Sequence, residues 1–424
     1  MSLLSCIKRN KMHVFRRLYM RRRQTSGEYE TSWQLIPNKY IITWPSIQFS
    51  IEDIKPNHYK YSGAEISVIN NDGYFSDENK AASFFYGYLG IHNTMVKIES
   101  GYIGDDDTEY PTSTTLFIGL ISGRNTKYKY NNEINFKINH ISSIFDDIPA
   151  DKISSLGPTQ TASQLFTDIK NYADSNGTYY FQKYISSTVW NITATTNYYN
   201  IGTTTNLRDI SCWKLMQKLS EAENYIFYID NNVNFWFKER SNIPASSSFH
   251  FSGIGDDDKT YGHNIMSKLN IETGLDNIYN RIKIKLAKDD TITSYYFYNE
   301  TWAWGDSSSS FRFGVQEYSY DNEWLTTATA AQIATTIFNE FSEPKQIIQA
   351  DVKFVPQLSL MNRVSIKYKS IRYLIASLWG WFLYGSGTWG GVYAYNINID
   401  GDYYITSLKH NLNAFKTTVD IKEI

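Results

Sequence analysis

Gly385-Ser386-Gly387-Thr388-Trp389-Gly390 matches by letter the G-x-G-x-x-G loop that cradles a dinucleotide pyrophosphate. That chemistry requires a strand before the loop and a helix after it, whose first amides hold the phosphates. The sequel here, Val392-Tyr393-Ala394-Tyr395-Asn396-Ile397, reads as a strand, because such side chains suit a pleated surface. No cofactor is assigned. Trp379, Trp381 and Trp389 instead make residues 378–396 a packed or partner-facing hairpin, with stacking on sugars as a second use of the rings.

Two acidic strings, Asp105-Asp106-Asp107 and Asp256-Asp257-Asp258, could hold a cation. Calcium loops space their carboxylates at alternate positions and close with a glutamate. Consecutive side chains diverge, so both strings read as solvated loop tips and no metal is assigned. The histidines (His13, His58, His92, His140, His250, His263 and His410) are scattered without zinc-ligand spacing. Cys6 and Cys212 form no disulfide framework and suit synthesis in a reducing cytoplasm. Neither G-x-S-x-G nor a Walker loop occurs. The pairs Glu52-Asp53 and Asp146-Asp147 sit in polar connectors, whereas a glycosidase needs two acids converging across a cleft. No catalytic residue is assigned, and the chain reads as a non-enzyme.

The elements around these residues are mostly strands. Ile47, Phe49 and Ile51 alternate with polar residues, as do the residues of 63–69, which run into the turn Asn70-Asn71-Asp72-Gly73. Further strands are expected at 95–100, 115–121 and 134–138, with a short helix at 79–86. Thr161 and Gln164 form a capping box for a helix that buries Leu165, Phe166, Ile169 and Ala173. A second helix is expected over 209–222 with Asp209 as its cap, followed by a hairpin at 225–237. Ile282 and Ile284 alternate with lysines, and Ala330, Ile333, Ala334, Ile337 and Phe341 form the best-patterned helix, ended by Pro344. The C-terminal third closes with strand segments at 354–368, 403–410 and 415–421.

The fold class is therefore α+β, predominantly antiparallel β. Four parts are expected: a basic N-terminal arm over 1–27, a β unit over 28–145, an α+β middle unit over 146–268, and a second β unit over 269–424. The last carries a helical insertion at about 326–343. At 424 residues and 16% aromatic content, the chain can bury a large core and present aromatic interfaces. No apolar run approaches the ~20 residues that span a bilayer. Eight cations precede the first acid, Glu28, so the remainder carries 33 cations against 43 acids. Arg16, Arg17, Arg21, Arg22 and Arg23 form the densest part of that arm. They are expected to bridge to an acidic neighbouring subunit, with phosphate binding, a transit sequence and a surface strand beside an acidic neighbour as the alternatives. Met12 and Met20 are alternative starts to Met1.

Several collinear motifs resemble the baseplate hub, or tail-tip hub, proteins of long-tailed bacteriophages, prophages and gene-transfer agents. They are Arg21-Arg22-Arg23 with Glu28-Tyr29-Glu30-Thr31-Ser32-Trp33, Ser50-Ile51-Glu52-Asp53-Ile54, the Asn70–Phe75 turn, and Leu116-Phe117-Ile118-Gly119-Leu120-Ile121. Later come Asp147-Ile148-Pro149-Ala150, the run from Trp213 to Leu219 leading into Phe227-Tyr228-Ile229-Asp230, and Pro356-Gln357-Leu358 with Arg363-Val364. Hubs often carry aspartate before that arginine; this chain has Asn362.

The resemblance implies two tail-tube-like β-barrel domains in one chain, with the α+β middle domain and helical insertion between their parts. It implies a homotrimer that continues a six-fold tube into a three-fold tip. The implied partners are a tail-tube or distal-tail protein, a spike or fibre, and the tape measure, with DNA passing through the lumen. The implied place is the virion tail, assembled in the bacterial cytoplasm. The alternatives are a distal-tail or receptor-binding protein that touches host glycans through its Trp-rich loop, and a cell-wall hydrolase set in a tail tip.

Overall fold

The computed structural model describes residues 13–51, 59–76, 81–104, 109–128, 132–153, 156, 160–175, 189–199, 207, 209–239, 243–247, 249–252, 266–273, 278–285, 295–299, 309–321, 327–374 and 393–423. The first stretch contributes β1 (His13–Arg21), β2 (Gln34–Ile36), β3 (Ile41–Thr43), β4 (Ser46–Ile51), β5 (Tyr59–Tyr61), β6 (Ala64–Ile69), β7 (Met95–Ile103), β8 (Glu109–Tyr128) and β9 (Asn132–His140). The middle holds α1 (Ser143–Asp146), β10 (Gln160–Thr161), α2 (Ala162–Ser175), β11 (Trp190–Ile192), β12 (Tyr198–Tyr199), α3 (Cys212–Glu223), β13 (Tyr225–Ile229) and β14 (Phe235–Glu239). Then follow β15 (Phe249–Ser252), β16 (Met266–Thr273), β17 (Arg281–Lys285), β18 (Tyr295–Asn299), α4 (Ser309–Phe313), β19 (Glu317–Asp321) and α5 (Thr327–Phe341). The chain closes with β20 (Gln346–Lys353), β21 (Arg363–Leu374), β22 (Tyr393–Asn411) and β23 (Lys416–Glu423).

The first sheet runs β2-β1-β7-β8-β9-β6-β3, antiparallel throughout. Its end strands, β2 and β3, are separated in sequence only by residues 37–40. Such a link spans at most about 18 Å. Seven strands laid flat at ~4.8 Å spacing would hold their edges about 29 Å apart. The sheet is therefore rolled, and β-bulges at Ile98/Glu99 and Ile121/Gly123 supply bending points. Inward alternation fills the roll: Ile66 and Val68 on β6, and Ile134, Phe136 and Ile138 on β9 are all buried.

The described part of the basic arm is not a free extension. Residues 13–21 are β1, the second strand of this sheet, paired to β7 over nine positions and to β2 over three. Leu18 and Met20 are fully buried, and Phe15 nearly so. The short helix expected at 79–86 is absent over its described part, where residues 81–86 form turns.

The second large sheet runs β15-β21-β22-β23-β20-β16. Its longest strand, β22, pairs with β21 along its first part and with β4 along its last, where Ser46–Ser50 lie against Asn411–Ser407. β4 and its partner β5 come from the stretch expected to form the first β unit, yet they extend the C-terminal sheet. The boundary at residue 145 therefore does not divide the molecule in space. Two strands from the N-terminal side are built into the other sheet, and the two halves share one continuous hydrophobic core.

Between the sheets, α2 carries the expected capping box: Thr161 N donates to Gln164 Oε1 at 2.9 Å, and Gln164 N donates to Thr161 Oγ1 at 3.4 Å. α3 starts later than expected. Its cap is Ser211, whose Oγ accepts from Lys214 N at 3.2 Å, while Asp209 sits at φ +65° in the preceding turn. β13 and β14 pair as the expected hairpin, with β11 parallel on the far side of β14. α5, the expected helical insertion, packs on β17 and β18. Residues 356–362 are turns rather than strand. There Asn362 Oδ1 accepts from Ser359 N at 2.9 Å and from Ser359 Oγ at 3.1 Å. Both bonds need only an acceptor oxygen, so asparagine serves where hubs often carry aspartate.

Candidate functional site

The chain's distinctive chemistry lies where the two sheets meet. Arg16 projects from β1 and donates Nη1 to the Leu412 carbonyl at 2.7 Å. Its guanidinium lies 5.1 Å from the Trp44 ring centre and 4.5 Å from that of Phe415. Trp44 is itself tied across the seam: its N–H donates to Asn413 Oδ1 at 3.1 Å, and Asn413 Nδ2 returns a bond to the Trp44 carbonyl at 2.7 Å. From β7, the Tyr102 hydroxyl donates to the Phe354 carbonyl. Arg16 thus clamps a strand of one sheet to the β22–β23 turn of the other. A charge-assisted bond contributes about 1.5–3 kcal/mol and cation–π contact about 0.5–2 kcal/mol more. Arg16→Ala should therefore cost about 2 kcal/mol. It would be read as a lower urea midpoint at unchanged slope, with Arg16→Lys intermediate because an ammonium cannot stack as a plane.

The other arginines of the cluster are also engaged within the chain. Arg17 binds Glu109 through both terminal nitrogens. Arg21 Nε donates to the Glu30 carbonyl at 2.7 Å, and its guanidinium lies over Trp33. Arg22 forms a fork on Glu30, with Nε at 2.9 Å from Oε2 and Nη2 on Oε1, and it stacks on Tyr88 and Phe84. Burial alone would raise the Glu30 carboxyl, but the Arg22 bonds and the Tyr88 hydroxyl pull it below its ordinary value. Arg23 contributes its carbonyl, which accepts from Leu89 N at 2.9 Å. The charges expected to reach an acidic neighbour are therefore largely spent inside the fold. Trp379, Trp381 and Trp389 lie outside the described residues, as do both acidic strings and the glycine-rich loop.

Two histidines passed over in the sequence reading are buried against the same seam. His140 ends β9 at 2% exposure, and His410 on β22 is fully enclosed. The His140 ring packs against Tyr61 at 4.9 Å and against Phe49 and Phe117 at 5.6 Å. Its Nδ1 lies 2.8 Å from Ser142 Oγ. His410 Nδ1 lies 3.0 Å from Thr417 Oγ1, and the Phe354 ring covers it at 5.6 Å. Its Nε2 has no hydrogen bond of normal geometry, although the Leu358 carbonyl is close enough to raise its pKa slightly. Burial holds His140 down to about 3 and His410 to about 4. Nothing in their sequence spacing signals either position.

No cluster of metal-binding side chains occurs among the described residues. What the surface offers is edges. β1 extends beyond its short partner β2, and a groove of about 570 Å³ runs there, lined by His13, Val14, Leu35, Pro37, Asn38 and Ile103. Leu35 on β2 is 52% exposed, and Ile42 on the opposite end strand β3 is 42% exposed.

Comparison with solved structures settles the fold. The chain superposes on the tail protein from Neisseria meningitidis MC58 with a TM-score of 0.52 and 9% identity, covering 96% of both chains. The fold is that of a tail protein. Prophage tail protein gp18 from Listeria monocytogenes EGD-e gives 0.50 at 10% identity, over 96% of this chain and 94% of that one. The 43 kDa tail protein of prophage MuSo2 from Shewanella oneidensis gives 0.50 at 11% identity, over 96% and 98%. No protein-family model matches the sequence, and no curated protein matches it. The tail-protein fold therefore runs through 96% of this chain at 9–11% sequence identity.

Proposed function

We propose that this chain is a structural subunit of a phage tail, acting as the hub at the baseplate or tip. The observation that carries the reading is the end-to-end match to three tail proteins, each covered over at least 94% of its length. A partial match could come from one shared β module; a full-length one includes the middle unit and the way the β units are joined. Three copies would form a ring that docks on the last tube or distal-tail ring, carries a spike or fibre, surrounds the tape measure and lets DNA pass. The particle tail is its place, after assembly in the host cytoplasm. The subunit makes and breaks no covalent bond.

The exposed edges support this reading, because an open strand edge is stable only when a neighbour covers it. Closed rings repeat one heterologous contact around an axis. The β1–β2 groove and the β3 edge are the surfaces such a contact would use. The purified protein should therefore form three-fold rings by electron microscopy, with a mass of three subunits in solution. A six-fold ring would point to a distal-tail protein instead, and a soluble monomer that turns over peptidoglycan would overturn the structural role.

A further inference from the structure

We infer that the seam between the two β units is an acid-sensitive joint, which opens on protonation of His140 and His410 and frees β4 and β5 while the β7–β8 and β20–β23 ladders stay folded. The inference stands on placement. His140 belongs to the first sheet, yet two of its ring partners, Phe49 and Tyr61, lie on β4 and β5, the strands built into the second. His410 belongs to the second sheet, and the Phe354 that covers it offers its carbonyl to Tyr102 of the first. The His140 imidazole is thus itself a contact between units, and the His410 imidazole lies directly behind one, under the Phe354 that bonds Tyr102.

The groups facing them are poor hosts for a cation. Around His140 these are the Ser142 hydroxyl, Tyr59 and Tyr61 from β5, and the rings of β4 and β8. Trp213 of α3 backs both tyrosines. The nearby carboxylate, Asp146 on α1, reaches the cluster through the Tyr61 hydroxyl at 3.1 Å, and burial raises its pKa. Around His410 stand Thr417 of β23, the Leu358 carbonyl, Phe354, and Ile47 opposite it on β4. Arg16, a cation, lies across that part of the seam, on the Leu412 carbonyl and the Phe415 ring. Among the described residues no carboxylate bonds either ring.

A buried imidazole becomes charged only by reaching water or an acid. With no acid in place, protonation favours the state in which the ring is exposed. The sign follows from the lowered pKa values. An exposed histidine titrates near 6.5, and the enclosed rings at about 3 and about 4. The seam's stability is thus complete above pH ~6.5 and is lost progressively as pH falls towards 4 and 3. Arg16 stays charged throughout and is no part of the sensor.

The test is hydrogen–deuterium exchange of the full chain from pH 7 to pH 3, corrected for intrinsic rate, with far-UV circular dichroism alongside. Protection over 46–51, 59–61 and 412–415 should fall at least about tenfold at a pH where the ladders of β7–β8 and β20–β23 remain protected. In H140Q/H410Q the midpoint should move down by about one pH unit or more. An unchanged midpoint, or loss of all ladders in the same step, would overturn the joint. Should the variant fail to fold, carbon-13 spectra of labelled histidines in the wild-type chain decide. Both enclosed rings should remain neutral at pH 5, and protonation near pH 6.5 in an intact seam would sink the inference.

Discussion

Removing residues 1–23 should leave a chain that does not fold. Read from the sequence, those residues belong to a charged arm expected to bridge to an acidic neighbouring subunit. In the structure the deletion takes out β1, which lies between β2 and β7. Phe15, Leu18 and Met20 are buried there, and at about 1.5–3 kcal/mol each their loss amounts to about 4.5–9 kcal/mol. The β7 ladder would lose nine partners, the Arg16 clamp would go, and the Arg22–Glu30 fork would leave a half-buried carboxylate without its cation. A folded domain is stable by only about 5–15 kcal/mol, so the product should be insoluble or lack a cooperative unfolding transition. A soluble, cooperatively folded chain lacking residues 1–23 would show that β1 is dispensable, contrary to its place in the ladder.

That contrast explains what could be read in advance. Strands β4, β6 and β17 and helices α2 and α5 carry one apolar face with a clear period, and burial follows it. β1 hides the same signal. Its inward residues are interrupted by Arg16, Arg17 and Arg21, whose stems lie along the sheet while their heads reach Leu412, Glu109 and Glu30. Long cations that cover apolar surface in this way imitate a solvated arm. The destination of β4 was hidden for a different reason. Its alternation fixes which face is buried but not which strand lies beside it, and its partner on β22 is some 360 residues away. Asp209 lost the capping position because a residue at positive φ cannot also supply the extended geometry that Ser211 adopts, at φ −72° and ψ 154°. The candidate site suffered most. A seam is made of residues that meet only after both sheets have formed, so Arg16, Trp44, Phe415, His140 and His410 share no local pattern.

Gly119→Ala should destabilise the protein by about 3 kcal/mol or more, whereas Gly123→Ala, four residues along the same strand, should be neutral or slightly stabilising. Both glycines sit in β8 beside β9. A Cβ at Gly119 would collide with the Asn139 carbonyl and lie 2.7 Å from Phe117 Cε1 and 2.9 Å from Ile138 Cγ2. The first of these is backbone in the neighbouring strand and cannot turn aside, so the ladder itself must move. Gly119 is also the register partner of His140, and Phe117 forms one wall of that ring's cage. Any shift therefore reaches the seam as well as the sheet. At Gly123 the new Cβ would meet only Lys137 side-chain atoms at 3.8 and 3.9 Å, ordinary van der Waals contact. Chemical denaturation of the two variants separates close backbone approach from the generic cost of ordering glycine. Equal effects would mean that the glycine in Leu116-Phe117-Ile118-Gly119-Leu120-Ile121 is there for chain flexibility. A large effect at Gly119 alone ties that motif to the packing of β8 on β9, and through His140 to the joint between the two β units.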